Sequence, residues 1–195
     1  FGLIWTGGFG SAFSIQNTLL RSAPLILTGL AFAIPARIGL TVIGSEGALV
    51  LGGFMAAAVA IPFVTGGLTP VVGLPLMAIA AMLTGAIWIG LVGWLRHYRG
   101  VNETIASLLM SYIAIATMNF FVEGLLRDPA SANKPSTMPI GELYRVGPMP
   151  GTTVHWGLAA GLVLAVVLHI LMTRTTFGFA ARMTGGNVRA AQAQG

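Results

Sequence analysis

Residues 71–95 read VVGLPLMAIAAMLTGAIWIGLVGWL, an apolar run without a single charged side chain. An α-helix needs about 20 consecutive, mostly apolar residues to cross the roughly 30 Å hydrocarbon core of a bilayer. The run therefore predicts a membrane-spanning helix. The short, basic loop RHYRG follows at residues 96–100.

Four further apolar runs predict four more spans. They occupy residues 23–43, 48–65, 104–126 and 154–172. The composition supports this interpretation, since 55% of the residues are hydrophobic and only 8% are charged, which is typical of integral membrane proteins. We predict an all-α fold, a polytopic transmembrane bundle of about five helices.

The predicted spans divide the chain into segments of one transmembrane domain. In order, these are an extracytoplasmic segment (residues 1–22), four spans (23–126), an extracytoplasmic loop (127–153), a fifth span (154–173) and a cytoplasmic segment (174–195). The long loop must lie in water because lipid cannot satisfy irregular backbone. Because the chain starts at Phe1 and stops at Gly195 within a helical pattern, we expect a fragment of a longer protein.

Basic residues predict the orientation of the chain. With five crossings, the loop at residues 96–100 lies on the same side as the C-terminal segment. That side carries Arg96, Arg99, Arg174, Arg182 and Arg189, so we assign it to the cytoplasm. The opposite side carries Arg21, Arg127, Lys134 and Arg145, spread over more residues. The net charge of +5 agrees with this rule and does not indicate a nucleic-acid partner.

Charged side chains near a helix break form the first candidate site. Pro35 removes a backbone hydrogen bond from the first span, so we expect that helix to be kinked or broken there. Arg37 follows two residues later, and Glu46 lies in the glycine-flanked turn at residues 44–47. Broken helices with free backbone groups build substrate sites in many transporters. The alternative is an ordinary loop with Arg37 extending to the interface.

The fourth span carries the densest set of polar side chains. At about 100° per residue, they divide between two nearly opposite faces. One face carries Glu103, Ser107, Ser111 and Thr117, and the other carries Tyr112, Asn119 and Glu123. One face should line a solute pathway or a subunit interface, and the other should pack against neighbouring helices. Spacing alone leaves open which is which, and it also allows purely structural interhelical hydrogen bonds.

Candidate path residues share a polar side chain within or beside a predicted span. They are Arg37, Glu46, Asn102, Glu103, Ser107, Ser111, Tyr112 and Asn119.

Common catalytic motifs are absent from the sequence. Asp128 is the only aspartate, which excludes an intramembrane aspartyl pair, and no paired-histidine zinc motif occurs. Cysteine is absent, which excludes disulfides and thiol-based metal sites. No glycine-rich phosphate loop ending in Gly-Lys-Ser or Gly-Lys-Thr occurs either. We therefore expect a chain that is not an enzyme and that binds no metal and no cofactor itself, with any motor elsewhere.

Three stretches resemble a known family. Residues 22–54, SAPLILTGLAFAIPARIGLTVIGSEGALVLGGF, look like its second span and turn, with matches at Ile43, Gly44, Glu46 and Gly47 and departures at Thr41, Ser45 and Ala48. Residues 100–114, GVNETIASLLMSYIA, resemble the opening of a span in a nucleoside-type branch. Residues 175–195, TTFGFAARMTGGNVRAAQAQG, resemble a cytoplasmic loop that docks onto an ATPase. The family is that of the permease subunits of bacterial ABC importers for sugars, nucleosides and branched-chain amino acids.

The resemblance implies a docking role for the third stretch. Its docking residues would be Thr175, Gly178, Arg182, Gly185, Asn187, Ala190, Ala191 and Gly195, with Val188 in place of a frequent proline. Asn187 can cap the helix that follows, and the two alanines keep its surface slim enough to enter a partner's groove. The alternative, a cationic helix lying on anionic lipid, requires a larger apolar face than we expect here.

The resemblance also implies an assembly. Two permease subunits, identical or related, would form a pore in the lipid of the bacterial plasma (inner) membrane. Two cytoplasmic ABC ATPases would bind the ATP, and an extracytoplasmic substrate-binding protein would deliver a nucleoside or a related small polar solute. A simple-sugar or branched-chain amino-acid permease is the alternative within the family. An ion-coupled carrier or channel, or an intramembrane enzyme, is the alternative outside it.

Overall fold

Seven α-helices and one 3₁₀ turn make up the described part of the chain. The computed structural model describes residues 1–67, 69–131 and 134–186. The helices are α1 (Gly2–Phe9), α2 (Ala12–Arg37), α3 (Ser45–Gly66), α4 (Pro70–Arg99), α5 (Glu103–Glu123), α6 (Gly157–Arg174) and α7 (Thr176–Gly186), and the 3₁₀ turn is Glu142–Tyr144. Helices α2 to α6 are long and apolar enough to cross a membrane. The prediction of an all-α, polytopic fold is therefore confirmed.

Helix α2 begins earlier than the predicted first span, at Ala12 rather than at residue 23. The Ser11 hydroxyl accepts a hydrogen bond from the Ser14 amide at 3.1 Å and caps the helix. Hydropathy does not detect this start, because polar residues such as Gln16 and Arg21 lower the average hydropathy. The helical backbone hydrogen bonds nevertheless continue past them. The side of the membrane on which residues 1–22 lie stays a prediction.

Helix α2 also ends earlier than predicted, at Arg37 rather than at residue 43. The Ile38 and Leu40 amides both donate to the Pro35 carbonyl, at 3.0 and 2.9 Å. Gly39 then takes a positive φ of 76°, a conformation that glycine adopts without steric cost. The expected break near Pro35 is therefore a helix end.

Unit 1 consists of residues 1–41 and the described residues from 146 onwards, and it contains α1, α2, α6 and α7. Its core is a small cluster of Ala23, Val154 and Leu158, with Ile26 and Met149 packed against it. Helices α2 and α6 meet closely there, since a Cβ added to Gly161 would lie 3.5 Å from Ile26 Cγ2. Small residues of this kind let helices approach in lipid.

Unit 2 consists of residues 42–145 and contains α3, α4, α5 and the 3₁₀ turn. Tyr144 of that turn is buried beside Ala60 and Met77, and its hydroxyl donates to the Phe63 carbonyl at 3.3 Å. Gly73 makes room for the ring, because an added Cβ would lie 2.6 Å from Tyr144 Cε1. The loop after α5 is thereby held against α3 and α4.

The charges of the chain divide unequally between the units. All acidic residues lie in unit 2: Glu46, Glu103, Glu123, Asp128 and Glu142. The basic residues Arg96, Arg99, Arg127, Lys134 and Arg145 balance them there. Unit 1 contains no acidic residue in its sequence, and its described residues include Arg21, Arg37, Arg174 and Arg182.

Candidate functional site

The glycine-flanked turn before α3 packs against α5. The Ile43 amide donates to Ser107 Oγ at 3.1 Å, and a Cβ on Gly44 would clash with the backbone of Ser107. Gly47 lies similarly close, since an added Cβ would be 2.6 Å from Ser111 Cα. Both glycines are therefore required by the close approach of two backbones.

Two side chains in the same turn have different surroundings. The Ser45 hydroxyl is buried without a hydrogen-bond partner among the described residues. The Glu46 side chain is exposed, in the first turn of α3, where the helix dipole favours a negative charge. The candidate residue of this turn, Glu46, is thus not covered by the packing of unit 2.

Two candidate residues at the start of α5 have partners within unit 2. The Asn102 side chain accepts from the Thr104 amide at 2.9 Å and from the Ile105 amide at 3.2 Å, so Asn102 is the N-cap of α5. The Glu103 carboxylate is buried and forms an ion pair with Arg96 at the end of α4. These two side chains join the ends of α4 and α5.

The structure distinguishes the two polar faces of α5. Ser107, Ser111 and Ala114 are all buried. The Ser107 and Ser111 hydroxyls donate to the carbonyls of Thr104 and Ser107, at 3.0 and 3.2 Å. Tyr112 is 70% exposed, and Asn119 is exposed as well. The face with the two serines therefore packs inside unit 2, and the face with Tyr112 and Asn119 is uncovered in that unit.

The remaining path candidate, Arg37, belongs to unit 1. It is the last residue of α2, and its side chain is exposed. It borders a cleft between α2 and α6, together with His169.

Thr175 separates α6 from α7. Its hydroxyl donates to the Leu171 carbonyl at 2.6 Å and accepts from the Gly178 amide at 3.2 Å, so one side chain ends a helix and caps the next. Gly178 is buried, and an added Cβ would clash with the carbonyls of Leu171 and Met172. Thr175 and Gly178, two of the predicted docking residues, therefore shape this sharp turn.

The far end of α7 packs against the end of α2. A Cβ added to Gly185 would clash with the Ile38 backbone, and one added to Gly39 would lie 3.0 Å from the Gly185 carbonyl oxygen. Arg182 is half-buried. The exposed apolar side chains of α7 are Phe177, Phe179 and Met183. One side of α7 is thus held within unit 1, and these apolar side chains are left uncovered by it.

Four other predicted docking residues lie outside the described residues: Asn187, Ala190, Ala191 and Gly195. Within the described ranges, no group of three or more His, Asp or Glu side chains could hold a metal ion.

Sequence interpretation missed the partner of Arg96. It assigns Arg96 only to the charge of a loop, whereas the structure pairs it with Glu103. The signal in the sequence that could have predicted this ion pair is the presence of opposite charges, Arg96 and Glu103, on either side of a helix break. Gly100, with φ of 65°, ends α4, and Asn102 starts α5, which turns the two helix ends towards each other.

Comparison with known proteins places this architecture in a family. A family model described as branched-chain amino acid transport system / permease component matches residues 14–195. A glucose ABC transporter permease protein of Haloferax volcanii is 33% identical, over 100% of this chain and 53% of that protein. A guanosine ABC transporter permease protein of Bacillus subtilis is 31% identical, over 100% and 56%. A nucleoside ABC transporter permease protein of Lactococcus lactis is 28% identical, over 98% and 54%. The chain thus spans about half the length of these relatives, and no solved structure matches it.

Proposed function

The chain belongs to the family of branched-chain amino acid transport system permease components, and on this premise we propose that it is the membrane-spanning permease subunit of an ATP-driven ABC importer. The family match includes most of α2 and all of α3 to α6, which carries the proposal. The subunit forms the path for the solute. ATP is bound and hydrolysed by separate cytoplasmic subunits, and this chain itself binds no cofactor.

A nucleoside or a related small polar solute is the proposed cargo. Relatives in Bacillus subtilis and Lactococcus lactis are named for guanosine and for nucleosides, and residues 100–114 resemble the nucleoside-type branch. A simple sugar is the second candidate, because the Haloferax volcanii relative named for glucose has the higher identity, 33%. Both classes of solute are rich in hydroxyl groups, which suits a path with a few well-placed polar side chains.

Tyr112 and Asn119 are the proposed solute contacts on α5. They lie about two helical turns apart on one face, and both are exposed in unit 2. An amide offers both donors and an acceptor, and a tyrosine ring adds a flat apolar surface beside its hydroxyl. Ser107 and Ser111 already make hydrogen bonds within α5. We therefore assign these serines to support of the path rather than to solute contact.

The cytoplasmic ATPase is proposed to dock on α7 and the residues that follow it. Exposed apolar side chains on one short helix suit a groove on a partner. The backbone contact between Gly185 and Ile38 would pass a displacement of α7 to the end of α2, because closely packed elements move together. A second permease subunit and an extracytoplasmic binding protein complete the proposed assembly.

ATPase stimulation in the complete reconstituted transporter tests the cargo. The whole permease, its ATPase and its binding protein are assembled in liposomes and supplied in turn with nucleosides, pentoses, glucose or leucine. Stimulation by nucleosides is expected. Stimulation by sugars alone would replace nucleosides with the second candidate, and uptake that follows an ion gradient without ATP would contradict the importer.

Single-cysteine labelling tests the path. The chain has no cysteine, so Tyr112→Cys and Asn119→Cys each introduce one thiol, and Ile87→Cys on an exposed apolar position of α4 is the matched control. We expect a water-soluble thiol reagent to modify the two α5 positions and the cargo to slow that reaction. Equal labelling of all three positions, with no protection by cargo, would remove this face of α5 from the path.

Cross-linking tests the docking of α7. Met183→Cys places a thiol on an exposed position of α7, and Phe13→Cys places one on an exposed position near the start of α2. A cross-link between Met183→Cys and the ATPase is expected, with none from Phe13→Cys. Cross-linking from neither position, in a complex that still hydrolyses ATP upon transport, would argue for docking elsewhere.

A further inference from the structure

We propose that the cleft between α2 and α6 in unit 1 binds the phosphate headgroup of an anionic phospholipid. The cleft has a volume of about 150 Å³. Pockets that enclose a small-molecule ligand usually measure about 300–1,000 Å³, so the cleft is too small for a transported solute. By the same measure of volume a water molecule needs roughly 10–15 Å³, so the cleft has room for a group several times larger, such as a phosphodiester.

The cleft is apolar along its length and polar at one end. Apolar side chains from both helices line it, among them Leu30 and Ile34 of α2 and Leu168 of α6. Arg37 is the last residue of α2, and His169 lies near the end of α6; both border the cleft. The two side chains with N–H donors thus come from the C-terminal parts of the two helices, and apolar side chains line the rest of the cleft. A phospholipid has the same order, with its phosphate at the surface and its chains in the core.

Charge identifies the kind of headgroup. Arg37 makes no ion pair or hydrogen bond through its side chain to any described residue. Unit 1 contains no aspartate or glutamate that could neutralise it. A guanidinium donates to two phosphate oxygens at once, and an imidazole carries an N–H donor in either protonation state. Basic clefts between helix ends at the cytoplasmic surface are suited to anionic lipid headgroups.

The backbone offers no substitute for these two side chains. Both helices end at the cleft with carbonyl groups, whose partial negative charge disfavours an anion. Binding of a phosphate there depends on Arg37 and His169, so their removal gives a clear test.

Native mass spectrometry of the complete protein measures this binding. The protein in detergent is mixed with phosphatidylglycerol, phosphatidylcholine or inorganic phosphate. We expect the wild type to retain phosphatidylglycerol. The double variant Arg37→Gln/His169→Gln should bind it at least about fivefold more weakly, because one basic side chain near an anionic surface contributes an affinity of that size. Ala165→Leu fills the cleft without changing its charge, and it should also lower retention.

Two matched variants serve as controls. Arg174→Gln removes a cation from an exposed position at the end of α6, outside the cleft, and it should retain the lipid. Arg37→Lys keeps the charge but loses the paired donors of the guanidinium, so it should retain more lipid than Arg37→Gln/His169→Gln, which separates charge loss from misfolding. Equal retention by the double variant and the wild type would overturn the proposal, as would equal retention of phosphatidylcholine. Displacement of phosphatidylglycerol by inorganic phosphate would assign the cleft to free phosphate instead.

Discussion

Unit 1 and unit 2 satisfy their polar groups in different ways. In unit 2 the charges are balanced, Arg96 pairs with a buried Glu103, and Arg145 pairs with Glu142. In unit 1 the sequence contains no aspartate or glutamate, and the polar contacts described there include the helix caps at Ser11 and Thr175. The difference is that acidic and basic residues balance within unit 2, whereas unit 1 carries basic residues alone.

The largest expected effect comes from the close approach of the turn to α5 in unit 2. Gly44→Ala adds a Cβ that clashes with the Ser107 backbone, and since neither backbone can yield freely we expect destabilisation by roughly 2–3 kcal/mol. Thermal unfolding of the purified protein in detergent measures it. The matched control is Gly53→Ala in α3, where nothing lies within 4 Å of the added Cβ. Equal unfolding temperatures for the two variants would contradict a tight contact at Gly44.

Two ion pairs of unit 2, Arg96–Glu103 and Arg145–Glu142, give an intermediate effect. Glu103→Gln removes the charge of a side chain that is 10% exposed, and we expect a loss of about 1–2 kcal/mol because the partner Arg96 is partly solvated. Glu142→Gln, at a side chain that is 84% exposed, should cost less than about 0.5 kcal/mol. Unfolding midpoints of both variants, compared at low and high salt, measure the contrast. If the two variants lose the same stability, burial does not distinguish the pairs.

The smallest expected effect is local and lies in unit 1. Thr175→Ala removes the cap of α7 and should destabilise its first turn by about 1 kcal/mol. Amide hydrogen exchange at Gly178, whose N–H donates to Thr175 Oγ1, measures the change. Thr173→Ala is the matched control, because its hydroxyl only donates to the His169 carbonyl within α6, at 2.7 Å. Faster exchange in the control as well would assign the effect to α6 rather than to the cap.

The sequence predicted the spanning helices better than their ends. The apolar runs are long in all five spans, so the sequence predicts each of these helices. The start of α2, however, depends on the Ser11 cap, and its end depends on backbone hydrogen bonds to the Pro35 carbonyl. Hydropathy averages over about 19 residues and does not detect such local bonds. The cytoplasmic assignment of the basic side stays a prediction.

The candidate site was predicted in part. Helical spacing correctly grouped Ser107 with Ser111 and Tyr112 with Asn119, but it could not tell which group packs, because both are small polar sets with equal periodicity. The roles of Thr175 and Gly178 at the α6–α7 turn were also not predicted. The bond from Thr175 to the Leu171 carbonyl and the close approach of Gly178 to the Met172 carbonyl depend on the turn between α6 and α7.

By itself, the amino-acid sequence determined that this is an all-α membrane protein and, through its motifs, which family it resembles. Length and apolarity suffice for this because a bilayer admits only segments that satisfy their own backbone hydrogen bonds. The tertiary structure alone decided that Glu103 pairs with Arg96, that the serine face of α5 is the packed one, and that Gly185 meets Ile38. These are contacts between segments far apart in the chain or across a helix break, and periodicity within one helix carries no information about its neighbour.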